Sequence, residues 1–327
     1  MVTGGLGFIG SNFINHIIKN TEIEILNVDA EFFGSSRSNL SEIKDAKNYE
    51  FVKGNITNRK LMEELISKSD TIINFAAQSH VDRSISDANP FLVSNIRGVF
   101  TILDILKDQK KKMIQISTDE VYGTILEGSA KEKDRFNPSS PYSATKASAE
   151  LLINSYVITY GLDVIITRCT NNYGKHQFVE KLIPKTIGLS RKNRKIPIYG
   201  NGKSIRDWIH VQDHCEAIMA VLEKGKSGES YNISASQEID NITIARKILK
   251  LLDKSEDQLE FGEERPGEDT RYSLDSTKIR KELGWKPKIS FDDGLENTVN
   301  WYMSHNDKWW NNISEETYSS TPWKNKY

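Results

Sequence analysis

Apolar and polar positions follow two different periods along the first half of this chain. Short apolar runs come first: Ile23-Glu24-Ile25-Leu26-Asn27-Val28, the stretches 49–54 and 71–77, Met113-Ile114-Gln115-Ile116, and Val164-Ile165-Ile166-Thr167-Arg168. Each reads as a buried strand. Between them the period lengthens. Ile14, Ile17 and Ile18 continue a helix that opens near Phe8, and helices are predicted over 90–106 and 142–160. Strands alternating with helices predict an α/β fold on a doubly wound parallel sheet with both faces covered. One strand is out of proportion: only Met1, Val2 and Thr3 precede Gly4, where a strand ordinarily takes about five residues. Beyond about residue 170 the pattern is less regular, which predicts a smaller, mixed α/β second domain. The expected division is 1–170 and 171–313, with a segment near 205–220 returning to the first domain and a loosely held polar tail at 314–327.

The first helix is preceded by glycines at a telling spacing. Gly4, Gly7 and Gly10 form G-x-x-G-x-x-G, a variant of the dinucleotide fingerprint of Rossmann-like domains. Glycine permits the tight turn, the close approach of backbone to a pyrophosphate, and the packing of helix on strand. The helix would aim its free N–H groups and positive dipole end at the phosphates. The second strand ends at Asp29, about 20 residues past the glycines. A carboxylate there accepts ribose hydroxyls and repels a ribose phosphate, so NAD is expected rather than NADP. Arg37 is the one nearby cation, and it is expected to face solvent.

Reactive side chains cluster at predicted strand ends. Thr118-Asp119-Glu120 puts a hydroxyl and two carboxyls after the fifth strand; Tyr142 and Lys146, at i and i+4, share one face of the following helix. An ammonium beside a phenol favours phenolate, so Tyr142 is expected to act as a base nearer neutral pH than about 10. Adjacent carboxyls in different surroundings can divide acid and base roles. Residues 76–80 and 169–172 also fall at strand ends, where ligands bind such sheets. Three segments therefore converge on one crevice.

Composition narrows the class. At 327 residues the chain suggests two subdomains, and a net charge of −1 gives no global attraction to nucleic acid or anionic membrane. The basic runs at 110–112 and 191–195 are short and suit solvated helix ends. Cys169 and Cys215 are too few for a disulfide framework and match no metal spacing, so no metal is expected. No apolar run approaches a membrane span of about 18 residues, and no signal-peptide core precedes the fingerprint. A cytoplasmic enzyme is the expectation.

Taken together, GGLGFIG, AAQSHVDRSI, STDEVYG, PSSPYSATKA, VIITRCTNNYG, IPIYGNGKSIRDWIHVQDHCEAI and ERPGEDTRY resemble the extended short-chain dehydrogenases/reductases, and specifically the dTDP-glucose 4,6-dehydratases, over nearly the whole length. The discriminating segment is TDEVYG, because the related epimerases usually carry small residues at Asp119 and Glu120. The resemblance implies that Tyr142, helped by Thr118, takes the proton from the hydroxyl on sugar carbon 4 while hydride passes to NAD. Glu120 then removes the proton on carbon 5, protonated Asp119 assists the departing hydroxyl on carbon 6, and the hydride returns to carbon 6. Lys146 would hold the nicotinamide ribose. The resemblance places NAD against Gly4, Gly7, Phe8, Ile9, Gly10, Asp29, Asn55, Ile56, Ala76, Ala77, Ser79, Tyr142, Lys146 and Asn172. For the sugar nucleotide it implies Ser79 and Asn171, flanked by Lys181 and Leu182. Pro197, Ile198 and Tyr199 would line the base pocket, Arg206 and Arg265 the diphosphate, and Asn241 a further nucleotide contact. It also implies a homodimer built on the helices over 90–106 and 142–160.

Several positions depart from that pattern. The family usually has Glu at Gln78 and Asp at Asn55, and its R-P-G-H-D reads here Arg265-Pro266-Gly267-Glu268-Asp269. Asn55 can still bond an adenine. A glutamate near a diphosphate is electrostatically unfavourable unless it points at a ribose hydroxyl. The segment 31–36 differs from the usual adenosine-packing loop. Gln78 also occurs in UDP-glucose dehydratases, which leaves dTDP-glucose and UDP-glucose both open, with a 4-epimerase as the alternative reaction.

Overall fold

The apolar runs pair in parallel. The computed structural model describes residues 1–305, 310 and 313–325. Its strands are β1 (Val2–Thr3), β2 (Ile25–Asp29), β3 (Tyr49–Lys53), β4 (Thr71–Asn74), β5 (Lys112–Thr118), β6 (Val164–Cys169), β7 (Asn171–Tyr173), β8 (Ile196–Ile198), β9 (Ile205–His210), β10 (Ser230–Ile233), β11 (Glu238–Asp240) and β12 (Leu259–Phe261). Seven of them form one parallel sheet in the order β10-β6-β5-β4-β1-β2-β3. Strand order reverses at β1, between β4 and β2, and a ligand crevice opens at such a switch point. The expected doubly wound α/β fold is present.

The short first strand lies in the interior of the sheet. Val2 and Thr3 are bonded to β2 on one side and β4 on the other. Met1 extends the ladder: its amine donates to the Thr71 carbonyl at 2.7 Å, and its carbonyl accepts from Ile73 at 2.9 Å. The strand predicted over 71–77 is shorter than expected. Its ladder ends at Asn74, whose side chain bonds Gln115 at 2.7 Å, and residues 75–77 leave the sheet for the crevice.

Two helices matter most for the site. Pro141–Tyr160 starts at Ser140, which exchanges hydrogen bonds with Ser143 in a capping box; Pro141 fills the first helical position, and Gly161 ends the helix in the left-handed region at φ 65°. Within it Glu150 is buried and accepts two bonds from Arg168 of β6, at 2.9 and 2.6 Å, which pins the helix to the sheet. The helix predicted over 90–106 is not uniform. It begins at Asn89–Phe91, widens into a π-helical turn over Leu92–Arg97, and resumes as Gly98–Gln109. Such turns insert one extra residue and often mark functional positions.

Each face of the sheet carries its own core. Phe13, Ile14 and Ile17 pack with Val2, Ile116, Cys215 and Ile218 on one face; Ile102, Leu106, Ile153 and Val164 pack on the other. The helix Val211–Lys224 and β10 pack into the first of these cores. Tyr173, Ile187, Trp208, Ile248 and Tyr302 form a separate core. The tail expected to be loose is docked: Tyr318 and Trp323 are buried, and the Lys185 ammonium donates to the Ser319 carbonyl at 2.6 Å. Parts of the predicted second domain and tail (306–309, 311–312 and 326–327) lie outside the described residues. Among the described residues no helix is long and apolar enough to cross a membrane.

Candidate active site

A cavity of about 320 Å³ runs across the carboxyl ends of β1, β2, β4, β5 and β6. Its floor is the glycine turn. Gly4 has φ +71°, and a Cβ there would stand 2.6 Å from the Ala76 nitrogen; a Cβ on Gly10 would stand 2.5 Å from the Gly4 carbonyl. Only glycine fits either place. The Phe8–Asn20 helix begins at Gly7 with no side-chain cap and no acidic residue in its first turn. Its free N–H groups and dipole thus remain available to an anion. Asp29 closes the other end of the groove. Its carboxylate accepts from the amides of Leu6 at 3.0 Å and Glu31 at 2.8 Å, while burial raises its pKa above the usual value. Arg37 is exposed and paired with Glu31. The groove thus suits a dinucleotide with a free ribose diol.

The reactive groups sit at the end of β5. Thr118 caps the short 3₁₀ turn Asp119–Tyr122, accepting from the Glu120 amide at 3.3 Å and donating to Asp119 at 3.2 Å. Asp119 is buried, and its Oδ2 has no hydrogen-bond partner among the described residues. Burial raises its pKa well above the usual 3.8, and the neighbouring Glu120 and Asp207 raise it further. Burial also raises Glu120, but Arg265, Lys181 and Arg206 oppose that rise. The two carboxyls therefore sit in different electrostatic surroundings, the arrangement that separates an acid from a base.

Tyr142 and Lys146 reach the same cavity, but not as expected of a phenol lowered by an ammonium. Lys146 donates to the Ile116 carbonyl at 2.6 Å, and burial pushes it down to about 8. Burial first, then Glu120, Cys169 and Asp119, hold the Tyr142 phenol well above its ordinary 10, against a Thr118 hydrogen bond that lowers it. Sequence spacing put the two residues on one helical face; it could not show that the nearer charges are carboxyls.

The cavity brings together every residue expected against the cofactor: Gly4, Gly7, Phe8, Ile9, Gly10, Asp29, Asn55, Ile56, Ala76, Ala77, Ser79, Tyr142, Lys146 and Asn172. Of the expected substrate set, Ser79, Asn171 and Lys181 line it, and the Lys181 ammonium donates to the Ser79 carbonyl at 3.0 Å. Leu182, Pro197, Ile198, Tyr199, Arg206, Asn241 and Arg265 do not. Ile198 is a core residue packed with Ile242 and Leu249. The Tyr199 hydroxyl donates to Asp82 at 3.2 Å, and its ring meets Trp323 edge-on at 5.0 Å. Arg206 and Arg265 instead embrace Glu268.

Several contributors were not legible in the sequence. Asn95, inside the π-helical turn, bonds both backbone groups of Gln78 and donates to Thr145 at 2.9 Å, holding the loop after β4. Phe33 meets Phe178 edge-on at 4.7 Å and lies 3.4 Å beneath the Arg83 guanidinium, while Arg83 also pairs with Glu180. No period marks these residues, because they meet only through loops distant in the chain.

Comparison with known proteins places this geometry. The family model for GDP-mannose 4,6 dehydratase matches residues 1–298. The low-salt glycan biosynthesis protein Agl12 of Haloferax volcanii is 47% identical over 304 residues, covering 93% of this chain and 98% of its own. A dTDP-glucose 4,6-dehydratase of Streptomyces niveus is 42% identical over 316 residues, 95% of this chain and 94% of its own. The crystal structure of a DesIV double mutant, a dTDP-glucose 4,6-dehydratase from Streptomyces venezuelae with NAD and DAU bound, superposes with a TM-score of 0.93 at 40% identity, covering 95% of this chain and 98% of that one.

Proposed function

We infer the reaction from one premise: the chain belongs to the GDP-mannose 4,6-dehydratase family. The protein is an NAD-dependent nucleotide-sugar 4,6-dehydratase, and dTDP-glucose is the proposed substrate. The observation that carries the reading is the Asp119–Glu120 pair, two adjacent carboxyls of which one is raised well above the usual carboxylate range by burial and like charge, while three cations oppose the rise of the other. Epimerisation at carbon 4 expels no hydroxyl from carbon 6 and has no use for such an acid.

In this reading Tyr142 accepts the proton of the carbon 4 hydroxyl, with Thr118 hydrogen-bonded beside it. Bound in the groove, NAD supplies hydride acceptance at carbon 4, hydride donation at carbon 6 and a positive ring that favours the Tyr142 phenolate. The ketone at carbon 4 acidifies carbon 5. Glu120 removes the carbon 5 proton, Asp119 protonates the hydroxyl leaving carbon 6, and one water departs. Carbon 5 then regains a proton from Glu120 and carbon 6 becomes a methyl group. The proposal assigns Ser79, Asn171 and Lys181, which line the cavity, to the sugar. The proposal assigns Arg206 and Arg265 to the diphosphate, and Leu182, Pro197, Ile198, Tyr199 and Asn241 to the nucleoside. A cytoplasmic location belongs to the same proposal; in its support, Cys169 and Cys215 are both buried free thiols.

Incubation with dTDP-glucose is expected to yield a product lighter by one water, with the alkali-induced absorbance of a 4-keto sugar. Faster turnover of UDP-glucose would reassign the base. An unchanged substrate mass with both would reject dehydration.

A homodimer is also proposed. Phe100, Leu151 and Ile158 are exposed on the helices Gly98–Gln109 and Pro141–Tyr160, an apolar strip that includes the helix carrying Tyr142. Leu103 and Ala147, on the same two helices, belong to the core instead. Light scattering is expected to give twice the chain mass, and Phe100→Asp to lower both mass and activity. A single-chain mass with full activity would remove the interface from the account.

A further inference from the structure

Two arginines from different parts of the second domain close on one carboxylate. Arg206 lies in β9, and Arg265 in the loop after β12. Arg206 Nη2 stands 2.5 Å from Glu268 Oε1, and Arg265 Nη2 stands 2.5 Å from Glu268 Oε2. The side chains of Arg206 and Glu268 are 5% and 8% exposed, so the pairing is screened little by solvent. Each arginine also has support that does not involve Glu268. Arg206 donates to the Ile205 carbonyl at 2.8 Å and lies 4.4 Å over the Tyr272 ring. Arg265 Nη1 is 3.3 Å from Asp82. The buried Arg265 Nε donates no hydrogen bond among the described residues.

The backbone that presents Glu268 is held on both sides. Gly267 is in the left-handed region at φ +66°, where a Cβ would meet the Ser139 carbonyl at 2.7 Å. On the other side Asp269 accepts from Tyr272 at 2.6 Å and Thr124 at 2.7 Å. The side chain between these fixed points turns about its own rotatable bonds. The arginine pair also borders the reacting groups, since both guanidiniums oppose the rise of the Glu120 pKa.

We propose that Glu268 is an internal stand-in for the substrate's diphosphate, an anion that occupies the arginine pair and must be displaced before a nucleoside diphosphate can bind there. The proposal rests on the reading of Arg206 and Arg265 as diphosphate ligands. Carboxylate and phosphate both match the planar guanidinium fork. Without Glu268 the two buried guanidiniums would have Asp82 alone as a counter-ion, on the Arg265 side, and Glu268 lowers the cost of that charge imbalance in the free protein. Binding is then an exchange of anions. Apparent affinity falls by the fraction of time the pair is open. Glu268 is therefore a positioning residue that sets how tightly sugar nucleotide and product are held, without touching the reacting carbons.

The test is the affinity for dTDP by calorimetry, with KM and kcat measured on the sugar nucleotide. Glu268→Gln keeps shape and hydrogen bonding but removes the charge. It is expected to tighten dTDP binding and lower KM by about tenfold, with kcat changing far less. Glu268→His is expected to act in the same direction and serves if the Gln variant does not fold. Weaker or unchanged dTDP binding in the folded variants would overturn the inference. Arg265→Met separates the two layers of the argument. If it weakens dTDP binding, the diphosphate reading stands and the Glu268 variants decide the inference. If it leaves dTDP binding unchanged, the reading of the arginines has failed and the inference with it.

Discussion

Replacing Glu120 by Gln is expected to lower turnover by about two to four orders of magnitude while NAD remains bound. The same is expected of Asp119→Asn. Neither change alters side-chain volume much, and neither residue caps the glycine turn, so loss of turnover can be separated from loss of cofactor. The pH dependence follows from the surroundings of the pair. In the proposed mechanism activity requires Glu120 ionised and Asp119 protonated. Both are raised by burial, but cations restrain Glu120 whereas Glu120 and Asp207 drive Asp119 higher. Activity therefore rises with pH as Glu120 loses its proton, above the ordinary glutamate value of 4.5. It falls again as Asp119 ionises. Lys146, held at about 8, loses its charge on the same alkaline side. A profile of kcat against pH checks this, together with NAD content measured in each variant. Wild-type turnover in either variant would remove that carboxyl from the chemistry.

Much of this arrangement is legible in the sequence, and the reasons are local. β2, β5 and β6 are buried on both faces, so their apolar runs announce them. The glycine turn is readable because each glycine answers a steric demand at its own position. Asp29 and Asp119 follow from where strands end. What the sequence does not disclose is set by distant contacts. β4 stops at Asn74 although Phe75, Ala76 and Ala77 continue the apolar run, because Asn74 is the last residue in register with β5. The π-helical turn at Leu92–Arg97 has no signature in its period; it shows only when Asn95 bonds Gln78 and Thr145. The phenol of Tyr142 is raised rather than lowered because burial, and after it Glu120, Cys169 and Asp119, outweigh the Thr118 hydrogen bond that lowers it. The polar tail hides two buried aromatics, Tyr318 and Trp323, whose partners lie more than a hundred residues away. Glu268 stands out in sequence only as a departure. The structure turns that departure into a contact with both arginines.

The proposed reaction is a closed redox cycle within one crevice: the hydrogen removed from carbon 4 is the hydrogen placed on carbon 6. Glu120 and Asp119 act between those two transfers, and the cavity that holds them is continuous with the cofactor groove. Nothing in the cycle consumes the cofactor, so catalytic NAD should support many turnovers. The label in the product follows directly. With dTDP-glucose carrying deuterium at carbon 4, nearly all of the deuterium is expected at carbon 6 of the 4-keto-6-deoxy product, within the same sugar molecule. Solvent hydrogen is expected at carbon 5, where Glu120 exchanges its proton with water. The measurement is mass spectrometry and NMR of product formed from a mixture of labelled and unlabelled substrate. Deuterium retained at carbon 6 without crossover between molecules is the predicted result; deuterium lost to solvent, or left on the cofactor with no methyl group formed, would contradict the account.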